Sequence, residues 1–350
     1  IACPCALVIS TPVTVVSGLA AAARQGILIK GGVYLENGRK LRALALDKTG
    51  TITLGKPMVT DVVPLGGANK DTVLQLAASL DALSEHPVAS AIVAAWNSGE
   101  LLPVTDFEAI TGRGVRGTIG GILCFIGNHR LTEENKVCGP HVEAELARLE
   151  AEGKTAVVLT TQSEALAVLA VADSLRTTSV EAVKELHALG IRTVMLTGDN
   201  QTTAKAIAAN VGIDDARGDL LPEDKLVAIT ELQRKHGVVG MVGDGINDAP
   251  ALAKSDIGFA MGAAGTDTAI ETADVALMED DLRKLPAFLR LSRQVGNVLV
   301  QNISLAIGIK IVFFVLAFMG KATLWMPVFA DLRGSLLVVF NGLRLLRSKK

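Results

Sequence analysis

Residues 298–319 read VLVQNISLAIGIKIVFFVLAFM, an apolar stretch broken by one charge, Lys310. After the short linker KAT, the run LWMPVFADLRGSLLVVFNGLRLL stays apolar to about residue 346, interrupted by Asp331 and Arg333. Crossing the hydrocarbon of a bilayer takes about 20 helical residues, so each stretch is long enough to span. Arg290 and Arg293 precede the first span and RLLRSKK closes the chain. Basic flanks on both sides predict a transmembrane hairpin over 295–347 with both ends in the cytosol. Two buried core helices are the alternative reading, which their length disfavours.

The N-terminal run IACPCALVISTPVTVVSGLAAAARQG is also apolar, and it lacks the basic start of a signal peptide. Residues 1–25 therefore predict part of a transmembrane helix, and the chain is expected to be a piece of something longer. A mean hydropathy of +0.41 follows from these segments rather than from the middle of the chain. A net charge of -2 and 3% aromatic residues give no reason to expect nucleic acid as a partner. The four cysteines, Cys3, Cys5, Cys124 and Cys138, are too few and too unevenly spaced for a disulfide framework, so a reducing compartment is the default.

Between about residues 40 and 290 the pattern is α/β. Apolar strand candidates at 43–47, 193–197 and 238–243 run into the polar loops DKTGT, TGDN and GDGINDAP. Helical patterns such as NQTTAKAIAANVG and SVEAVKELHALG each close on a glycine suited to a helix C-terminus. Alternating strand, loop and helix predicts a doubly wound parallel sheet, whose ligands sit beyond the carboxyl ends of the strands. A single Asp-Gly pair is usually a plain turn, whereas three acid-bearing loops at strand ends predict a shared reactive rim. Residues 55–165 interrupt the pattern with TGRGVRG, IGGILCFIGN and DALSEHPVASAIV, and read as a second, α+β domain inserted into the first, which keeps 26–54 and 166–290.

DKTGT, TGDN and GDGINDAP, with CPC upstream and SEHP between, resemble the heavy-metal-transporting subclass of P-type ATPases, over essentially the whole chain. The resemblance implies a haloacid-dehalogenase-like phosphorylation domain, an inserted nucleotide-binding domain, and metal transport coupled to an aspartyl-phosphate cycle. A carboxylate such as Asp47 can serve as the nucleophile that splits phosphate hydrolysis into two easier steps. By resemblance Lys48 and Thr49 complete its motif, and Asp47, the carbonyl of Thr49 and Asp244 hold Mg²⁺ with Asn247 and Asp248 behind them. Thr197, Gly198 and Asp199 match the motif that holds the phosphoryl group, and Lys225 matches the lysine that neutralises it. Taken alone, Lys225 reads as a solvated helix lysine.

His86 taken alone reads as a capping or surface residue. The resemblance instead sets His86 and Pro87 beside the adenine of ATP, with Gly112, Gly114, Gly127 and Asn128 nearby. The family usually has glutamate five residues before the histidine, and here that position is Asp81, one methylene shorter.

Thiolates at Cys3 and Cys5, either side of a helix-breaking proline, favour soft or borderline ions, although a pair of inert buried cysteines is the bland alternative. Ionisable residues inside a membrane are functional candidates by default, which singles out Lys310 and Asp331. Zinc, cadmium and lead pumps carry lysine and aspartate at these places, whereas copper pumps carry asparagine, tyrosine, methionine and serine. The expected cargo is thus Zn²⁺, Cd²⁺ or Pb²⁺, held by Cys3, Cys5 and Asp331 with Lys310 as counter-charge. Arg333 and Pro327 depart from the family pattern around Asp331.

Nothing in these residues matches the actuator domain with its TGE loop. The expectation is an ATP-driven exporter in a bacterial plasma membrane, its catalytic domains cytoplasmic, of which this chain is the C-terminal portion. Its partners would be membrane lipid, the metal ion and the missing N-terminal part of the pump. Alone it would form the phosphoenzyme and lose it slowly, without transport. The competing readings are a truncated, non-transporting module anchored in the membrane that binds ATP or metal, and a soluble small-molecule phosphatase.

Overall fold

The computed structural model describes residues 5–97, 99–244, 248–262, 271–321, 323 and 325–347, with the backbone alone for residues 5–7, 327 and 329–331. Two compact units form. One comprises Ile1–Asp47, Thr178–Thr193 and Pro222–Lys350, and the other Lys48–Thr177 and Val194–Leu221.

In the first unit five strands lie side by side in the order Ile27–Ile29, Val275–Leu277, Ile257–Met261, Val239–Gly243 and Ala43–Asp47. All pairings are parallel except that of the short edge strand Ile27–Ile29. Every residue of Ala43–Asp47, Val239–Gly243 and Ile257–Met261 is buried, as expected of parallel strands covered on both faces. Leu46 pairs with Val242, so Asp47 and Asp244 leave neighbouring strands at the same end of the sheet. The strands at 43–47 and 239–243 fall where the sequence predicts them. The helix Ser179–Ala188 is followed by Gly190 at φ 75°, in the predicted C-terminal role.

A 35-residue helix, Lys284–Phe318, starts earlier than the expected span. Its first turns belong to the core: Phe288 meets Phe259 edge-to-face with ring centroids 5.2 Å apart. Arg290 pairs with Glu185 at 2.6 Å, and Arg293 donates to the Leu189 carbonyl at 2.7 Å. The two flanking arginines precede the apolar stretch, as expected, and also lie inside the helix, whose first turns they anchor. Beyond Val300 Ala306 is still buried against Val338, but many apolar side chains turn outward, from Ile311 at 58% exposed to Phe318 at 90%. The 18-residue apolar window has a mean hydropathy of 2.1 and is only 22% buried, which argues against a core helix of a soluble protein.

The helices Cys5–Arg24 and Trp325–Leu343 pack against this one. Asn302 is fully buried among them, donating to Thr14 Oγ1 and to the Val338 carbonyl, both at 3.2 Å, and accepting from Asn341 at 2.8 Å. A buried amide with these bonds made ties the three helices together. Pro327 falls in the first turn of its helix, where no backbone N–H is needed for the ladder, so it is compatible with the helix. Arg333 is exposed.

The second unit holds a six-stranded antiparallel sheet in the order Thr53–Pro64, Ala165–Leu175, Thr155–Thr161, Ile122–Gly127, Gly114–Ile119 and Val104–Ile110. Alternation along its strands gives two cores. Leu159, Ala167, Leu169 and Val171 pack with Val73, Leu80 and Ile92 of the helices Lys70–Asp81 and Pro87–Ala95. Val158, Val168 and Ala170 pack on the other face with Val142, Leu146 and Leu149 of Pro140–Ala151. The sheet runs ten residues beyond the expected edge of the insertion at 165. The reason is that the entering strand Thr53–Pro64 and the leaving strand Ala165–Leu175 are antiparallel partners from Thr53↔Leu175 to Pro64↔Ala167.

Also in this unit, the end of the strand Arg192–Leu196 pairs in parallel with Asp215–Arg217. The helix Gln201–Val211 is capped by Asn200, which accepts from Thr203 N–H at 2.8 Å, and closed by Gly212 at φ 84°. The observed strand begins and ends one residue earlier than the expected 193–197.

Candidate active site

At the carboxyl end of the parallel sheet, Asp47 is 6% exposed and Asp248 is 3% exposed. Lys225, from the first turn of the helix Pro222–His236, reaches between them. Its Nζ donates to Asp47 Oδ1 at 2.5 Å and to Asp248 Oδ1 at 2.7 Å. Asp248 comes this close to the strand because Gly243 has no side chain: a Cβ there would sit 2.7 Å from Asp248 Cβ. Asp244 completes the group, and carboxylate oxygens of Asp47, Asp244 and Asp248 lie within 4.8 Å of one another.

Two carboxylates thus flank one ammonium, and a third lies beside them. Burial and the Asp248 charge raise the Asp47 carboxyl above its ordinary range, Lys225 pulls it back, and Asp244 adds to the rise. Burial disfavours the Lys225 charge, but Asp47 and Asp248 outweigh it and hold the ammonium above its usual value. The negative excess and the hard oxygen donors fit a magnesium ion, which takes one or two carboxylates and completes its shell with phosphate and water. Lys225 is thus not a solvated helix lysine, and Asp248 touches the lysine directly.

In the second unit, Lys48 and Asp199 form an ion pair, with both side chains largely buried. Asp199 is fixed further by Thr155 Oγ1, donating at 3.1 Å, and by Thr197 Oγ1, donating at 3.3 Å. The Asp199 N–H returns a bond to the Thr197 hydroxyl at 3.1 Å. Gly198 is exposed beside them, and so is Thr49 in its loop. Two features of this loop escape sequence reasoning. Arg176 donates to the Gly50 carbonyl at 2.7 Å and the Thr51 carbonyl at 3.1 Å, and so holds the turn after Lys48. Thr51 is fully buried with no hydrogen-bond partner for its hydroxyl.

The same unit gathers the expected nucleotide residues into two groups. Gly114 and Gly127 are cross-strand partners. A Cβ on Gly114 would lie 2.1 Å from the Ile126 carbonyl oxygen, and one on Gly127 would lie 2.4 Å from that of Arg113, so this approach requires both glycines. Asn128 spans the corner, donating to the Gly112 carbonyl at 3.0 Å and accepting from Leu131 N–H at 3.2 Å. His86 is the N-cap of Pro87–Ala95, its Nδ1 accepting from Val88 N–H at 3.2 Å, with Pro87 at the first helical position. Partial desolvation lowers the imidazole's pKa, while the nearby Asp199 charge opposes this. Asp81 is 5% exposed, and burial pushes its carboxyl up to about 7.

Cys5 begins the helix Cys5–Arg24, Lys310 is half-buried on Lys284–Phe318, and Asp331 lies on Trp325–Leu343. Cys3 and Asn247 lie outside the described residues, as do the side chains of Cys5 and Asp331.

The family described as "Hydrolase: haloacid dehalogenase-like hydrolase" matches residues 41–256. A probable cadmium-transporting ATPase of Staphylococcus aureus (strain MRSA252) is 49% identical over all of this chain and 49% of its own length. The zinc/cadmium/lead-transporting P-type ATPase of Escherichia coli (strain K12) is 44% identical over all of this chain and 47% of its own length. The crystal structure of a zinc-transporting PIB-type ATPase in its E2.Pi state superposes with a TM-score of 0.78. It is 42% identical, and the match covers 99% of this chain and 56% of that one. The chain therefore spans about half the length of the curated relatives it matches. With its acid-tipped parallel strands inside the matched region, and with similarity to metal-transporting P-type ATPases along its whole length, the chain belongs to the haloacid dehalogenase-like hydrolase family.

Proposed function

We propose that the chain is the phosphorylation, nucleotide-binding and adjoining membrane portion of a pump that exports Zn²⁺, Cd²⁺ or Pb²⁺ at the expense of ATP. The observation that carries this reading is the buried Asp47–Lys225–Asp248 group beside Asp244, at the end of a parallel sheet continued by an exposed apolar helix. Asp47 attacks the terminal phosphorus of ATP, forming an acyl phosphate while the bond to the leaving ADP oxygen breaks. Lys225 offsets charge on the transferring group as a point cation. The Thr197 hydroxyl and the backbone N–H of this Thr197–Gly198–Asp199 loop hold the phosphoryl oxygens, while the Asp199 carboxylate keeps Lys48 in place. When bound by Asp47, Asp244, Asp248 and the Thr49 carbonyl, with Asn247 behind them, Mg²⁺ supplies further charge neutralisation.

The domain over 55–165 presents ATP through His86, Pro87, Asp81, Gly112, Gly114, Gly127 and Asn128 to the domain formed by 26–54 and 166–290. Cys3, Cys5 and Asp331 bind the cargo, with Lys310 as counter-charge. The catalytic domains face the cytoplasm of a bacterial cell, as the organisms of the relatives suggest. Incubation with γ-labelled ATP and Mg²⁺ should give an acid-stable, hydroxylamine-sensitive label on the wild-type chain and none on Asp47→Asn. Label persisting in that variant refutes the assignment.

A further inference from the structure

Away from the phosphorylation site, the second unit brings three different ligand chemistries together. His129 opens the helix His129–Glu134, Cys138 sits in the loop after it, and Glu143 lies in the first turn of Pro140–Ala151. One ligand atom from each lies within 4.8 Å of the others. The His129 Nε2 atom is buried with no hydrogen-bond partner, and Glu133 Oε1 stands 3.8 Å from it. A desolvated ring nitrogen without a partner needs explanation, because buried polar atoms normally find one.

We propose that His129, Cys138 and Glu143 form a second binding site for a borderline divalent cation of the zinc and cadmium class, with Glu133 as a fourth ligand. The donor set selects the ion. A thiolate and an imidazole are poor ligands for Mg²⁺ or Ca²⁺, which take oxygen. A carboxylate beside them suits a divalent ion better than Cu(I), which favours sulfur alone. Bonds of about 2.3 Å to sulfur and about 2.0 Å to nitrogen or oxygen set tetrahedral ligand edges at about 3.5 Å. Side-chain rotations that draw the three atoms together by about 1 Å would close the site, and the half-exposed positions of His129 and Cys138 leave room for them.

The electrostatics favour a cation here. Glu133 and Glu143 act on Cys138, and Glu150 faces His129 with Asp219 beyond it. Burial first, then Glu143 and Glu133, push the Cys138 thiol up, so without a metal it is a neutral thiol. A divalent ion binding the sulfur would release the thiol proton to solvent and offset the carboxylates in one step. The site is independent of the proposed cargo positions Cys5, Lys310 and Asp331, which lie on Cys5–Arg24, Lys284–Phe318 and Trp325–Leu343. It adjoins Asn128, whose amide fixes the Gly112 carbonyl one residue before His129.

The test uses the full chain in detergent, carrying Cys3→Ser and Cys5→Ser so that the CPC thiols cannot contribute. Anaerobic titration with Co²⁺ should raise a thiolate-to-cobalt charge-transfer band that saturates at one equivalent and is displaced by Zn²⁺ or Cd²⁺. Cys138→Ser should abolish the band. Glu143→Gln, at an exposed position that leaves the fold intact, should weaken Co²⁺ binding by at least about tenfold, and His129→Asn likewise. The proposal is overturned by the absence of such a band, by a band that survives Cys138→Ser, or by unchanged affinity in the Glu143 and His129 variants. Failure here would leave Asp47 labelling intact, so the two readings are separable.

Discussion

Asp47 and Asp81 are both buried carboxyls raised above the ordinary range, one in each unit, but the causes differ. Asp47 is pushed up by burial and by two neighbouring carboxylates and restrained by a lysine at 2.5 Å. Asp81 is raised to about 7 by burial alone. The contrast teaches that a raised carboxyl becomes a reactive-site candidate only when partners accompany it. Asp47 stands in a group whose charges answer one another, whereas Asp81 ends the helix Lys70–Asp81 with only desolvation acting on it.

The largest effect that would break this contrast is at Lys225. Lys225→Met removes the cation from between Asp47 and Asp248 and should abolish acid-stable labelling. Leaving buried carboxylates uncompensated should also cost about 3–5 kcal/mol of stability in metal-free buffer. Adding Mg²⁺ should recover part of that loss, read as a rise in the denaturant midpoint. Unchanged labelling in Lys225→Met would mean that the lysine merely fills space.

At Asp81 the expected effect is on the order of 4 kcal/mol at most. A carboxyl whose folded pKa lies near 7 binds more protons folded than unfolded between about pH 4 and 7. Its contribution to stability is therefore greatest below about pH 4 and is lost as pH rises to about 7. Asp81→Asn should flatten that part of the pH–stability profile and stabilise the protein at pH 8. Identical slopes in wild type and variant would show that Asp81 ionises normally.

The smallest effect is at His86. His86→Ala removes a helix N-cap and should cost about 1 kcal/mol. If the ring also touches ATP, nucleotide affinity should fall by more than the thermal shift accounts for, while His86→Asn restores the cap but not the affinity. Full recovery of ATP binding in His86→Asn would reduce the histidine to a cap.

The parts of this arrangement that are written locally were legible. The strand ending at Asp47 is a continuous apolar run, and the helix before Gly212 carries its own cap and stop. The six-stranded antiparallel sheet was not legible, because its outer pair joins residues more than a hundred positions apart. Arg176 escaped for the same reason: its bond to Gly50 spans 126 residues and leaves no local pattern. The lysine at 225 was found through its motif, but its simultaneous hold on Asp248 belongs to the fold. One helix long and apolar enough to cross a membrane, Lys284–Phe318, falls where composition places the first span, whereas its extension back to Lys284 is invisible to hydropathy, since its first turns carry Arg290, paired with Glu185, and Arg293, bonded to the Leu189 carbonyl.

That extension makes the helix a lever. At about 1.5 Å per residue its 35 residues form a rod about 50 Å long. Its foot is clamped by Phe259, Glu185 and the Leu189 carbonyl, in the same unit as Asp47. With no break in the helix between Lys284 and Phe318 to absorb motion, a tilt of about 5° at the foot would sweep the far end through about 4 Å. Lys310 rides on that far half, 26 residues above the foot, so a small angular strain in the core beside Asp47 is geared up into a displacement of about 3 Å there.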